Sequence, residues 1–187
     1  MNRPVVIARL ASGNENKLTE LRRALPDVEI QLLDSGPLPP ETGAAYLDNA
    51  RGKARFARGL AGKDEWVMGE DSGIEVDALG GRPGVESARW AEDGVAKLLQ
   101  ELGTGKDRRA RYVCELVAIA PDGAEVRASG TLSGTITDRP RGSEGFGYDP
   151  IFVPDGERRT VAELGNDWKR EHSHRARAAA ALRDELV

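Results

Sequence analysis

The chain has 187 residues, 39% apolar and 31% charged, with a formal net charge of −4 and a pI near 5.4. That length sets a single domain over residues 1–187, with a sizeable core, as the expectation. The acidic balance argues against a broad nucleic-acid-binding face, while leaving room for a local basic pocket that takes a small anion.

Taken in chain order, Val5 to Leu10 reads as a short apolar strand, followed by Ser-Gly-Asn and a helix with Leu18, Leu21 and Leu25 on one face. Arg9 cuts that first apolar stretch short, so neither a signal peptide nor a membrane span is expected, and a cytoplasmic location is the default. Pro26-Asp27 ends the helix, Val28 to Leu33 is a second strand, and the Pro- and Gly-rich Asp34 to Pro40 is a loop. Tyr46 to Leu60 is an Ala-rich helix. Trp66 to Met68 opens a strand that runs into an acidic turn, Glu70-Asp71-Ser72-Gly73. After the Gly80 to Gly84 loop, Val95 to Leu102 is a short helix. Arg109 to Ala120 and Ala124 to Thr137 form a long hairpin about the Pro121-Asp122-Gly123 turn. The single cysteine, Cys114, lies inside the apolar run from Tyr112 to Ala120 and reads as a core thiol. Asp138 to Pro150 is a loop, Ile151 to Val153 a strand, and His174 to Leu186 the closing helix. Helices alternating with strands, then a long hairpin, predict a mixed α/β sheet.

Five stretches can carry chemistry. In Ser12-Gly13-Asn14-Glu15-Asn16-Lys17 a strand passes through a Gly turn into a helix start, where free N–H groups and a lysine one turn in suit a phosphate. Ser12 and Glu15 also have capping-box spacing. Glu41-Thr42-Gly43 precedes a helix on which Asn49 and Lys53, four apart, share a face. Glu70-Asp71 after an apolar strand, with a distant Glu41, fits a hard divalent cation, which takes one or two carboxylates together with substrate phosphates. In Gly145-Phe146-Gly147-Tyr148-Asp149 the aromatic rings offer stacking surface to a base and Asp149 accepts from ring N–H groups, unless the segment is simply a tight turn packed on the core. Lys169 with His172-Ser173-His174-Arg175 gathers both histidines and several donors at a helix start. Arg175 there opposes the helix dipole, so an anionic or carbonyl-bearing partner is expected to offset that cost.

Six motifs in one order, Ser-Gly-Asn-x-x-Lys, Glu-Thr-Gly with Asn49 and Lys53, Glu-Asp-Ser-Gly, Ala-Leu-Gly-Gly-x-Pro-Gly-Val-x-Ser-Ala-Arg, Gly-Phe-Gly-Tyr-Asp-Pro-Ile-Phe and Ser-His-Arg, make the chain resemble the inosine/xanthosine triphosphate pyrophosphatase family. The likeness runs from about Val5 to Leu186. It implies an elongated, two-lobed α/β fold around a mixed sheet, with the substrate cleft between the lobes, and a homodimer. It further implies magnesium-dependent hydrolysis of ITP, dITP and XTP to the monophosphate and pyrophosphate. Under the resemblance Ser12, Asn14 and Lys17 hold the triphosphate, with Lys53 assisting and the neighbouring Gly13, Glu15 and Asn16 in the same loop. Glu41 and Asp71 bind Mg2+, Asp71 is also the base for the attacking water, and Ser72 touches the substrate. Phe146, Gly147, Tyr148 and Asp149, with Lys169, His174 and Arg175, form the nucleoside pocket; there the donor-only guanidinium of Arg175 meets the 6-carbonyl of the base. Glu70 is left as either a supporting partner behind the metal-binding carboxylates or a charge that adjusts Asp71. Two departures stand out: Glu86 replaces the usual tyrosine before Ser-Ala-Arg, and the chain is shorter than relatives after Ala91. The competing readings are a nucleotide-binding sensor without catalysis and a magnesium phosphohydrolase of other specificity.

Overall fold

The computed structural model describes residues 6–186. Val5, at the start of the expected first strand, lies outside them. Among the described residues a six-stranded sheet has the order β2-β1-β3-β4-β5-β6. Its strands are β1 (Val6–Ala11), β2 (Val28–Leu32), β3 (Trp66–Val76), β4 (Arg109–Ile119), β5 (Glu125–Ile136) and β6 (Phe152–Pro154). β1 runs parallel to β2 and to β3, whereas β6 is antiparallel to β5, so the sheet is mixed as the pattern predicts. The helices are α1 (Glu15–Ala24), α2 (Tyr46–Arg58), α3 (Gly94–Leu102), α4 (Val161–His172) and α5 (His174–Leu186). None of them is long and apolar enough to cross a membrane.

The chain divides into two compact units, and β3, β4 and β5 contribute residues to both. The first unit takes residues up to Asp71, Cys114–Gly130 and Arg175 onward; the second takes Ser72–Val113 and Thr131–His174. In the first, Leu18 and Leu21 of α1 and Ala178, Ala179 and Leu182 of α5 pack on one face of the sheet, against Leu10, Ile30, Met68, Cys114 and Leu116. On the other face α2 lays Ala50, Ala54 and Ala57 against Val67, Val117 and Ile119. The parity of these positions, Met68 one way and Val67 the other, is the two-residue alternation of a strand. Alanines on α2 let its backbone come so near β3 that Gly69 is obligatory: a Cβ there would lie 2.6 Å from the Ala54 amide nitrogen and nearer still to the Ala50 carbonyl. The second unit has its own core of Ile74, Leu98, Tyr112, Leu132, Ile151 and Phe152, with their neighbours.

Two expectations need correction. The acidic residues at 70–73 are no turn, since β3 continues through them to Val76 with Glu70 and Asp71 buried. A carboxylate inside a sheet keeps its ladder bonds, and partners on neighbouring helices satisfy its side chain. The second is α4, which the pattern reading left out. Thr160 and Glu163 form a reciprocal capping box at its start, but Gly165 (φ 88°) breaks the helical path halfway. There the Glu144 carboxylate accepts from the Asn166 N–H at 2.9 Å and starts the second half. Two half-helices show no sustained period, so hydrophobic spacing cannot reveal them.

Candidate active site

In the first unit β1 delivers the chain to Ser12 and Gly13, and α1 begins at Glu15. Its cap is Asn14, not Ser12: the Asn14 Oδ1 accepts from the Asn16 N–H (2.9 Å) and the Lys17 N–H (3.3 Å). The Ser12 hydroxyl instead accepts from the Asn14 N–H at 3.1 Å. Asn at this position reaches two orphan first-turn amides, a bonding pattern that Ser12, two residues earlier, is too far away to make.

Strand alternation separates Glu70 from Asp71. Glu70 faces α1 and α5, fully buried, with Lys17 Nζ 2.7 Å from its Oε2. Arg175 donates to the Glu70 Oε1 from Nε (3.1 Å) and Nη2 (2.9 Å), and the Cys114 thiol donates to the same oxygen at 3.5 Å. Glu20 of α1 pairs with Arg175 Nη1. Two cations and two carboxylates thus close a charge-balanced buried network. Burial works against the Arg175 charge, but Glu70 and Glu20 outweigh it and hold the guanidinium further into its charged range. Burial, with Glu70 adding, pushes the Cys114 thiol well above its usual range. The anionic partner expected to offset Arg175 at a helix start is therefore supplied by the protein itself. Its guanidinium, only 1% exposed, is engaged by Glu70 and Glu20.

Asp71 faces α2. The Asn49 Nδ2 donates to its Oδ2 at 2.8 Å, and Lys53 Nζ stands 3.8 Å from its Oδ1. Lys53 also donates to the Glu70 carbonyl at 2.9 Å and pairs with Glu41. The Gly43 N–H donates to the Asn49 Oδ1 at 2.8 Å, which ties the Glu41-Thr42-Gly43 loop to α2. Asn49 and Lys53 share the buried face that their spacing predicts, and the close seat of α2 on Gly69 brings both to Asp71. Burial raises the Asp71 carboxyl above its ordinary range, opposed by Lys53, Asn49 and Lys17 and reinforced by Glu41. Among the described residues no group of three or more His, Cys, Asp or Glu side chains converges as a metal cage. Two hard oxygen donors sharing one ammonium do fit a cation that takes one or two carboxylates and completes its shell with water and phosphate.

In the second unit Ser72 follows on β3, half-buried. Gly145 (φ 79°) and Gly147 (φ 61°) bend the chain on either side of Phe146. Asp149 gathers the segment: its Oδ2 accepts from the Phe146 N–H (2.9 Å) and from Lys169 Nζ (2.6 Å), and its Oδ1 from the Tyr112 hydroxyl (3.1 Å). Lys169 Nζ lies 4.7 Å from the centroid of the half-buried Phe146 ring. His174 stacks on Tyr112, ring centroids 4.6 Å apart and planes 9° from parallel. Tyr148, expected beside Phe146 as stacking surface, packs in the core with its hydroxyl donating to the Ser87 carbonyl at 3.1 Å. Burial pushes its pKa up to about 12. Glu20 and Tyr112 escaped sequence reasoning: Glu20 sits off the leucine stripe of α1, and Tyr112 reads as one more member of an apolar run.

A mixed α/β sheet thus carries two buried carboxylates on opposite faces of one strand, each paired with a lysine. Comparison with known proteins gives the particular family: the Ham1 family model matches residues 8–185, and the chain belongs to that family. It is similar to a dITP/XTP pyrophosphatase of Synechococcus, 43% identical over 99% of this chain and 90% of the relative. The solved Ham1 protein of Staphylococcus aureus superposes with a TM-score of 0.83 at 36% identity, covering 96% of this chain and 97% of that one. A Mycobacterium abscessus structure described as a nucleoside-triphosphatase / dITP/XTP pyrophosphatase gives a TM-score of 0.74 at 41% identity, covering 97% and 100%.

Proposed function

We propose that this chain is a cytoplasmic, homodimeric nucleoside triphosphate pyrophosphatase that hydrolyses ITP, dITP and XTP to the monophosphate and pyrophosphate, with residues 1–187 as one catalytic domain. The observation that supports this most is the buried Asp71, fixed on a sheet strand and ringed by Asn49, Lys53 and Glu41. A rigid carboxylate raised above its usual range is suited to accept a proton from an attacking water. The water oxygen bonds to phosphorus, its proton goes to Asp71, and the bond between the α and β phosphates breaks with its electron pair staying on the leaving group. Mg2+, held by Asp71 and Glu41 when bound, supplies neutralisation of the phosphate charge and acidity of the water. Lys17 and Lys53 are placed to stabilise the charge that gathers on pyrophosphate. Glu70 and Arg175 act one layer back: Glu70 aims the Lys17 ammonium from the far side of β3, and Arg175, itself paired with Glu20, holds Glu70 in place.

For the base, Phe146 offers its ring and Lys169 its ammonium, with Asp149 and His174 completing the pocket. Hypoxanthine and xanthine carry an acceptor oxygen at the 6-position, which a donor-only ammonium can satisfy; the 6-amino group of adenine would set donor against donor. A site built around one hydrogen bond rejects the mismatched analogue by about 10⁴-fold. The test is turnover of ITP, XTP, ATP and GTP by purified protein with Mg2+, measuring pyrophosphate and orthophosphate separately. Pyrophosphate and IMP from ITP are expected. IDP and orthophosphate, or tight nucleotide binding without turnover, would refute the proposal.

A further inference from the structure

We propose that Tyr112 is a positioning residue for base selection, its hydroxyl fixing one oxygen of Asp149 while its ring supports the imidazole of His174. The inference rests on the assignment of Phe146, Lys169 and His174 to the base. Asp149 is 3% exposed, and its oxygens have separate duties. Oδ2 receives Lys169 Nζ at 2.6 Å and the Phe146 N–H at 2.9 Å, whereas Oδ1 receives the Tyr112 hydroxyl at 3.1 Å. A carboxylate held at one oxygen can still turn about its Cβ–Cγ bond. Held at both, it sets the plane in which Lys169 and the Phe146 backbone are presented.

The ring of Tyr112 does a second task. His174 lies against it at 4.6 Å and 9°, a parallel stack, and Phe152 meets it at 4.6 Å and 53°. Residue 134 beside Phe152 is glycine; a Cβ there would lie 2.8 Å from the Phe152 ring tip and nearer still to the Val153 carbonyl. A single side chain on β4 therefore registers Asp149, Lys169 and Phe146 through its oxygen and His174 through its face. Its apolar surroundings also explain why its position in a hydrophobic run conceals the role.

Two variants separate the tasks. Tyr112→Phe keeps the stack and removes the bond to Asp149; Tyr112→Leu removes both. With pyrophosphate release as the assay, Tyr112→Phe should lower the ITP-to-ATP ratio of kcat/KM by about tenfold, the worth of a hydrogen bond to a charged acceptor. The loss should appear in KM for ITP more than in kcat, and Tyr112→Leu should lower the ratio further. Independently of turnover, the chain has only two histidines. Imidazole NMR resonances, assigned with His172→Gln, should keep their ring-current shift in unliganded Tyr112→Phe and lose it in Tyr112→Leu. A ratio within twofold of the parent in Tyr112→Phe, or equal losses in kcat for both nucleotides, overturns the proposal. A parent chain indifferent to ITP and ATP refutes the base pocket itself, while unchanged His174 resonances in Tyr112→Leu refute the positioning alone.

Discussion

Gly69→Ala tests whether the contact between α2 and β3 sets the catalytic geometry. The added Cβ would stand 2.6 Å from the Ala54 nitrogen and closer to the Ala50 carbonyl oxygen. Ordinary contacts begin near 3.5 Å, so the helix must back away by about 1 Å. Both neighbours are backbone atoms, so no rotamer change relieves the clash. That helix carries Asn49 and Lys53, whose bonds to Asp71 and to the Glu70 carbonyl are 2.8 and 2.9 Å long. A displacement of about 1 Å breaks hydrogen-bond geometry at both and, in an active site, costs roughly 10²-fold in rate. Overpacking should also destabilise the fold by about 1–3 kcal/mol. The assay pairs steady-state pyrophosphate release with chemical denaturation, so that kcat is read on protein shown to be folded. A folded Gly69→Ala protein with kcat above about a third of the parent's would mean that the seat of α2 does not govern Asp71.

Asp71→Asn keeps the shape of the carboxylate and removes its charge, so kcat should fall by roughly 10²- to 10⁴-fold in the pyrophosphate assay, with nucleotide binding by calorimetry retained; more than a tenth of parental turnover would move the base elsewhere. Arg175→Ala takes the paired guanidinium from buried Glu20 and leaves Glu70 with Lys17 as its cation, so unfolding free energy should drop by about 3–5 kcal/mol, and ITP and ATP turnover should suffer alike. Selective loss of ITP turnover in a stable Arg175→Ala protein would restore Arg175 to the base pocket. For Tyr148 the folded pKa, about 12, exceeds the ordinary 10.0, so its stabilising contribution is complete below pH 10 and lost as pH rises towards 12. Denaturation curves between pH 8 and 12 should show a steeper alkaline decline for the parent than for Tyr148→Phe, and parallel curves would refute the assignment.

β1, β2, β4, β5, α1, α2 and α3 were legible because each shows a hydrophobic period bounded by turn residues, whereas β3 was legible only as far as Met68. The half-helices of α4 were not, since Gly165 resets the period after one turn and the restart depends on Glu144, a residue remote in sequence. The same limit applies to the site. Spacing alone brought Asn49 and Lys53 to one face, because i and i+4 on a helix are neighbours whatever the fold. Nothing local links Glu20 to Arg175 or Tyr112 to Asp149; those pairs exist only once distant elements pack. Tyr148 shows the same limit, as an aromatic beside glycines reads equally as stacking surface or as core until its ring is seen within the second unit's core.

Glu70 and Asp71 show how much one structural fact can decide. Adjacent in sequence, they were first placed together in a turn, where two carboxylates would share one environment and one ion. Once β3 runs through them, alternation sends them to opposite faces, with backbone between them and different helices as partners. Glu70 meets Lys17, Arg175 and the Cys114 thiol in a closed, charge-balanced network, while Asp71 meets Asn49, Lys53 and Glu41. Lys53 joins the two sides by donating to the carbonyl of Glu70 while facing the carboxylate of Asp71. The pair then works as two anchors for two lysines, one on each side of the sheet, and on the Asp71 side Glu41 meets the same lysine.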